Sequence, residues 1–185
     1  PAASASTASS STYPTHATRR PAIGTAIYPA STLPASPAAG STGLYLKNPK
    51  LQPKLGQLFK PMLIEMTSRG PDSAGVAIYR NPAKKGFTKF SLAHDDAKFG
   101  WKKLAAALKT ATKKQVSVEQ IGNHAIVTTN AKEEAVMSWL KAQHPDVRVV
   151  GSGQAIEIFK ETGLPEKVYE KFDLGKAKGS HIIGH

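Results

Sequence analysis

No cysteine occurs anywhere in the 185 residues. Disulfides, thiolate metal sites and thiol nucleophiles are therefore excluded. Acidic residues are missing from the first 64 positions: Glu65 is the first, and Arg19, Arg20, Lys47, Lys50, Lys54 and Lys60 precede it. No apolar run approaches the about 20 residues that a membrane-spanning helix needs. What is present is enough for a core, since 40% of the residues are hydrophobic. The length allows one ordinary domain, or a small domain with a long tail. Lys and Arg number 25 against 13 Asp and Glu, a net charge of +12. Such a balance favours acidic partners, nucleic acid first among them, and says nothing about fold.

Residues 1–43 hold 11 Ala, 8 Ser, 7 Thr and 6 Pro, which is 32 of 43 positions. That composition buries too little apolar surface to offset the entropy of ordering, so the stretch needs another surface if it is to be ordered. It is also the composition of an organellar transit peptide. Two expectations follow for residues 1–42: a leader or linker, or an extended arm lying along a partner.

From Gly43 the pattern becomes α+β. Gly43 to Lys47 reads as a strand ended by Asn48-Pro49. Leu55, Leu58, Phe59, Met62, Leu63 and Met66 mark one face of a helix, which Pro61 should kink or begin. Arg69 to Gly75 reads as a turn-rich loop, in which the Asp72 carboxylate is expected to accept backbone N–H bonds, and Val76 to Tyr79 as a strand. A second unit over 86–150 follows. Strands are expected at Phe87–Leu92, Gln115–Ile121, Ala125–Thr129 and Val147–Val150, with helices over Trp101–Leu108 and Lys132–Gln143. That β-α-β-β-α-β order is ferredoxin-like. Ala155–Phe159 reads as a helix turn or strand, Pro165–Phe172 as a short helix, and Gly179–His185 as a strand cut short.

Three separated segments carry a resemblance: Gly43-Leu-Tyr-Leu with the helix after it, Met66-Thr-Ser-Arg-Gly-Pro-Asp-Ser-Ala-Gly-Val-Ala77, and Gly179-Ser-His-Ile-Ile-Gly-His185. Together they resemble the class II glutamine amidotransferases, an N-terminal-nucleophile hydrolase family, through the Arg-Gly-x-Asp-Ser-Ala-Gly signature above all. The resemblance covers residues 39–185 and the first half of the family's domain. It implies a partial sandwich of two stacked sheets between helices, with the ferredoxin-like unit inserted. It also implies that catalysis begins at a cysteine whose own α-amine is the base. Ala39 stands in the nucleophile's place, behind 38 residues, and a methyl group cannot attack an amide. Ser41 or Thr42 would serve only after a cleavage that frees its amine. The residues that clamp glutamine in the family belong beyond His185.

No cofactor is expected, and His124, His144, His181 and His185 lack metal-like spacing with carboxylates. The basic residues Arg19, Arg20, Lys84, Lys85, Lys102, Lys103, Lys109, Lys113 and Lys114 are candidates for contact with RNA phosphate or an acidic partner. The strand expected at Gln115–Ile121 carries no aromatic for base stacking, which argues against sequence-specific readout. The combined expectation is a non-catalytic structural subunit of an organellar assembly, the mitochondrial ribosome first, among other protein subunits and in contact with the rRNA backbone. An accessory subunit of a respiratory or ATP-synthase complex comes second, and one half of a split glutamine amidotransferase third. With part of a sandwich exposed, the chain is expected to be poorly soluble or loosely packed without its partner.

Overall fold

A computed structural model describes residues 40–69 and 71–185. The expected arm over 1–42 thus lies almost wholly outside the described residues. The rest is α+β, with two four-stranded antiparallel sheets and four α-helices.

The first sheet takes β1 (Thr42–Tyr45), β2 (Ser73–Tyr79), β7 (Ile156–Thr162) and β8 (His181–Gly184), in the order β1-β8-β2-β7. The apolar pair in the tail is therefore a central strand, bonded on both sides. One face of this sheet is covered. Leu55, Phe59 and Leu63 of α1 (Leu55–Glu65) pack there with Val168 and Tyr169 of α4 (Pro165–Lys171), and all five join the core of Val76, Ile78, Phe159 and Ile182. Pro61 neither begins nor ends α1 but sits inside it. Both Pro61 and Gln57, whose carbonyl loses its i+4 donor, are exposed, so that carbonyl stays open to solvent. The other face is open: Tyr45 is 63% exposed and Ile183 45%.

The second sheet takes β3 (Thr88–Ala93), β4 (Val116–Ile121), β5 (His124–Thr129) and β6 (Arg148–Gly153), in the order β4-β5-β3-β6. With α2 (Trp101–Thr112) and α3 (Glu133–Gln143) the elements run β-α-β-β-α-β, as the sequence pattern indicates. Trp101, Leu104 and Leu108 of α2, with Val136 and Leu140 of α3, cover one face over Phe90, Leu92, Ala125 and Val127. Burying each such side chain contributes about 1.5–3 kcal/mol. The opposite face turns toward the first sheet, and Ile126 joins the first core.

The junction between the sheets is polar. β7 is an edge strand, and its outward N–H groups would be orphaned there. Side chains of the second sheet take them instead: Ile158 N–H donates to Ser91 Oγ at 2.8 Å, and Lys160 N–H to His124 Nε2 at 3.3 Å. Beside them Glu157, 2% exposed, accepts from Lys89 Nζ and Arg80 Nε, each at 2.7 Å. Lys89 also donates to the Arg80 carbonyl at 3.2 Å, so the buried cation is held on two sides.

Candidate functional site

The three segments that carry the resemblance meet at one end of the first sheet. Thr42, Gly184 and Val76 stand abreast in the register of β1, β8 and β2. One step further, Gly75 and His185 exchange backbone hydrogen bonds of 2.9 and 3.0 Å. The His185 ring lies over Gly75, where an added Cβ would stand 3.0 Å from Nε2. Gly40 lies just before β1, the neighbouring strand, and Arg69 reaches back over it from the turn that follows α1. A Cβ on Gly40 would meet Met66 Cε at 2.8 Å and Arg69 Nη1 at 3.3 Å. A side chain at either glycine would press on side chains that must shift to make room, Met66 and Arg69 at Gly40 and the His185 ring at Gly75.

A cleft of about 470 Å³ opens here, lined by Gly40, Ser41, Thr42, Met62, Glu65, Met66, Ser68 and Arg69. It offers three hydroxyls, those of Ser41, Thr42 and Ser68, and one charge of each sign. Among the described residues no histidine or carboxylate hydrogen-bonds Ser41 or Thr42, so neither hydroxyl has an activating base. Ala39, the residue expected in the nucleophile's place, lies outside the described residues, as do Arg19 and Arg20. The Asp72 carboxylate accepts no hydrogen bond among the described residues, which leave out Gly70 of the same loop; its backbone carbonyl accepts Gly163 N–H at 2.8 Å and so fastens the loop to the end of β7.

The lysines are far less gathered. Lys84 and Lys85 are exposed on the β2–β3 connection, Lys102, Lys103 and Lys109 on α2, and Lys113 and Lys114 just after it. Among the described residues none of the seven is ion-paired. The register of Val116, Thr129 and Thr88 brings the segments that hold Lys84–Lys85 and Lys113–Lys114 to the same end of the second sheet. None of them lines the cleft at Gly40.

A polar cluster at the junction escapes a reading by sequence spacing. His124 is fully buried, and its Nδ1 hydrogen-bonds Asn123 Oδ1 at 3.0 Å while Nε2 accepts Lys160 N–H. Burial pushes its pKa down to about 4. Asn123 Nδ2 donates to Glu161 at 2.9 Å, and Lys171 donates to the same carboxylate. Burial opposes ionisation of Glu161, yet the bonds from Lys171, Asn123 and Thr162 N–H outweigh it and hold its pKa at about 2. A local signal is the pair of acids four residues apart on one face of β7, Glu157 and Glu161.

This arrangement defines an α+β protein with its candidate site at one end of a half-covered sheet. No known family profile matches the chain. Over 148 residues, 79% of the chain, it is 43% identical to the glutamine amidotransferase-like protein GlxB of Rhizobium meliloti (strain 1021). That similarity supports a glutamine amidotransferase-like family. The match covers 48% of the relative, so the chain spans about half its length. The finding corrects the expected function. A bacterial amidotransferase-like relative overturns the readings as a mitochondrial ribosomal subunit and as a respiratory or ATP-synthase subunit, and it lends no support to the mitochondrial and pseudoenzyme labels. The physical reason is that a charge of +12 and an acid-poor first third suit many acidic partners and specify none.

Proposed function

We propose that this chain is one half of a glutamine amidotransferase-like unit, of the class II, N-terminal-nucleophile type. The 43% identity to half of an amidotransferase-like protein carries the reading. Two observations support it. The segments of the resemblance meet at one end of the first sheet, where two of them line a cleft, and the face of that sheet that bears Tyr45 and Ile183 has no covering layer among the described residues. In the proposed unit a second sheet from the remaining half, on the same or another chain, stacks on that face, and residues 86–150 form an insertion beside it. Glu65 and Arg69 give the cleft both charges of a zwitterionic amino acid such as glutamine. The second half supplies the residues that hold the substrate. With Ala39 in the nucleophile's place, this half releases no ammonia by itself.

The test is to express the chain with and without a segment equivalent to the part of the relative that it does not match. Ammonia release from glutamine is then measured, together with complex formation by size. A stable complex is expected, inactive with Ala39 and active after Ala39→Cys with the preceding residues removed. Failure of the halves to associate, or ammonia release by the chain alone, overturns the reading.

A further inference from the structure

We propose that α2 is a docking surface for an acidic helix of a partner protein. On α2, Trp101, Leu104, Ala105 and Leu108 face inward, and Lys102, Lys103, Ala106, Ala107, Lys109 and Thr110 are exposed. At 100° per residue, Lys102 and Lys109 fall within about 20° of each other on the outer face, and Lys113 follows them as the left-handed residue that ends the helix. The intervals are seven and four residues, about 10 and 6 Å at the helical rise. Ala106 and Thr110 lie to one side of Lys102 and Lys109, so the surface beside the lysines is low enough for another helix to approach closely.

Charge and chemistry narrow the partner. No acid occurs between Asp96 and Glu119. The carboxylates at the start of the neighbouring α3 are not paired with these lysines, and Glu133 takes the Ser152 hydroxyl instead. A row of point charges at helical intervals is complementary to a helix whose glutamates or aspartates recur at the same intervals. Nucleic acid is the poorer fit. α2 has no arginine to fork onto phosphate, and β4 beside it, Val-Ser-Val-Glu-Gln-Ile, brings an acid and no stacking aromatic. The proposal is independent of the amidotransferase-like reading, because the row lies on the second unit and away from the cleft.

The probe is a short alanine-based helical peptide with glutamates four and seven residues apart, titrated onto the full chain at low salt. Charge reversal of the row, Lys102→Glu with Lys109→Glu and Lys113→Glu, is expected to weaken binding about tenfold or more. The control Lys47→Glu with Lys50→Glu and Lys54→Glu makes the same charge change elsewhere and is expected to weaken it less than about threefold. Should the reversed row disturb folding by circular dichroism, glutamine at the same three positions removes the charges and keeps the side-chain length. Equal losses for row and control overturn the proposal, because binding then follows net charge alone. Equal binding of an isomeric peptide with its glutamates scattered around the helix also overturns it. So does tighter binding of oligothymidylate that is lost with the same row, which makes the surface one for nucleic acid.

Discussion

The two sheets of this protein share a size and an antiparallel plan but differ in what covers them. The second has α2 and α3 on one face and the junction with the first sheet on the other. The first has α1 and α4 on one face only, and its other face presents Tyr45 and Ile183 to solvent. A sheet covered on both sides closes its own hydrophobic account, so the second unit has little apolar need of a partner. The first sheet is where association has apolar surface to bury. Between them runs an edge strand, β7, sealed by side chains instead of by a fifth strand. The difference can be broken or sharpened at three places: the seal, the two faces of a single strand, and the end of α2.

The seal gives the largest effects. Glu157→Gln keeps the shape but leaves the buried Lys89 ammonium and Arg80 without a counter-charge, so it is expected to cost about 3–5 kcal/mol in urea unfolding. Replacing the pair together, Lys89→Met with Glu157→Leu, should recover most of that loss, since paired buried charges are often replaceable by apolar side chains. A cost below about 1 kcal/mol for Glu157→Gln would show that the junction does not depend on the ion pair. His124 makes the same seal sensitive to pH. Its pKa falls from 6.5 to about 4 on folding. Between those values the unfolded chain binds a proton that the folded chain does not, so stability rises with pH through the window. The contribution is complete above pH 6.5, is lost as pH falls toward 4, and is on the order of 3 kcal/mol. The mechanism is local: a protonated ring cannot accept Lys160 N–H. His124→Gln, whose amide oxygen can accept that bond, should flatten the dependence, and an unchanged slope in this variant would assign it to another group.

The second unit was legible in the sequence because its signals are local. Trp101, Leu104, Ala105 and Leu108 recur at helical spacing, and Gly122-Asn123 separates two alternating runs, so order and hand of burial could be read within short windows. The junction was not legible, for a reason of the same kind. Glu157 reads as the outward residue of an alternating strand, and its partners arrive from 68 and 77 positions away. The central place of β8 depends likewise on pairing Thr42 with Gly184, which no local pattern encodes. At the candidate site, Arg69, Gly75 and His185 were visible through the resemblance. That Arg69 folds back over Gly40 was not, because it depends on how α1 lies against β1. The error in function had another origin: net charge was asked to identify an assembly, and charge reports only the sign of a partner.

The two faces of β8 differ by one residue. Ile182 is fully buried in the first core, and Ile183 is 45% exposed on the open face. Ile182→Ala should cost about 2–5 kcal/mol. Ile183→Thr with Tyr45→Ser should change stability by no more than about 0.5 kcal/mol while raising the soluble yield of the chain alone. In the proposed two-part unit, that second variant should also weaken association of the halves. A matching stability loss from both variants would mean that the open face is packed after all.

The smallest effect sharpens the contrast between the chain's own stability and its surface. Lys113 ends α2 with φ 54°, in the left-handed region where helices usually place glycine. A β-carbon there costs about 1 kcal/mol in conformational energy. Some of that is offset by a positive charge beside the negative end of the helix dipole, worth about 0.3–1 kcal/mol on an exposed terminus. Lys113→Gly therefore should raise stability by only about 0.5 kcal/mol at low salt, and by more as salt screens the charge it removes. The same substitution takes one charge from the row on α2, so thermal midpoint and affinity for the acidic helical peptide should move in opposite directions. Asn at this position tolerates the left-handed conformation and is neutral, so Lys113→Asn should track the glycine variant in binding and fall between it and the parent in stability. If Lys113→Gly destabilises the chain, the lysine is there for the helix terminus itself, and the row has lost one of its three members as an argument for docking.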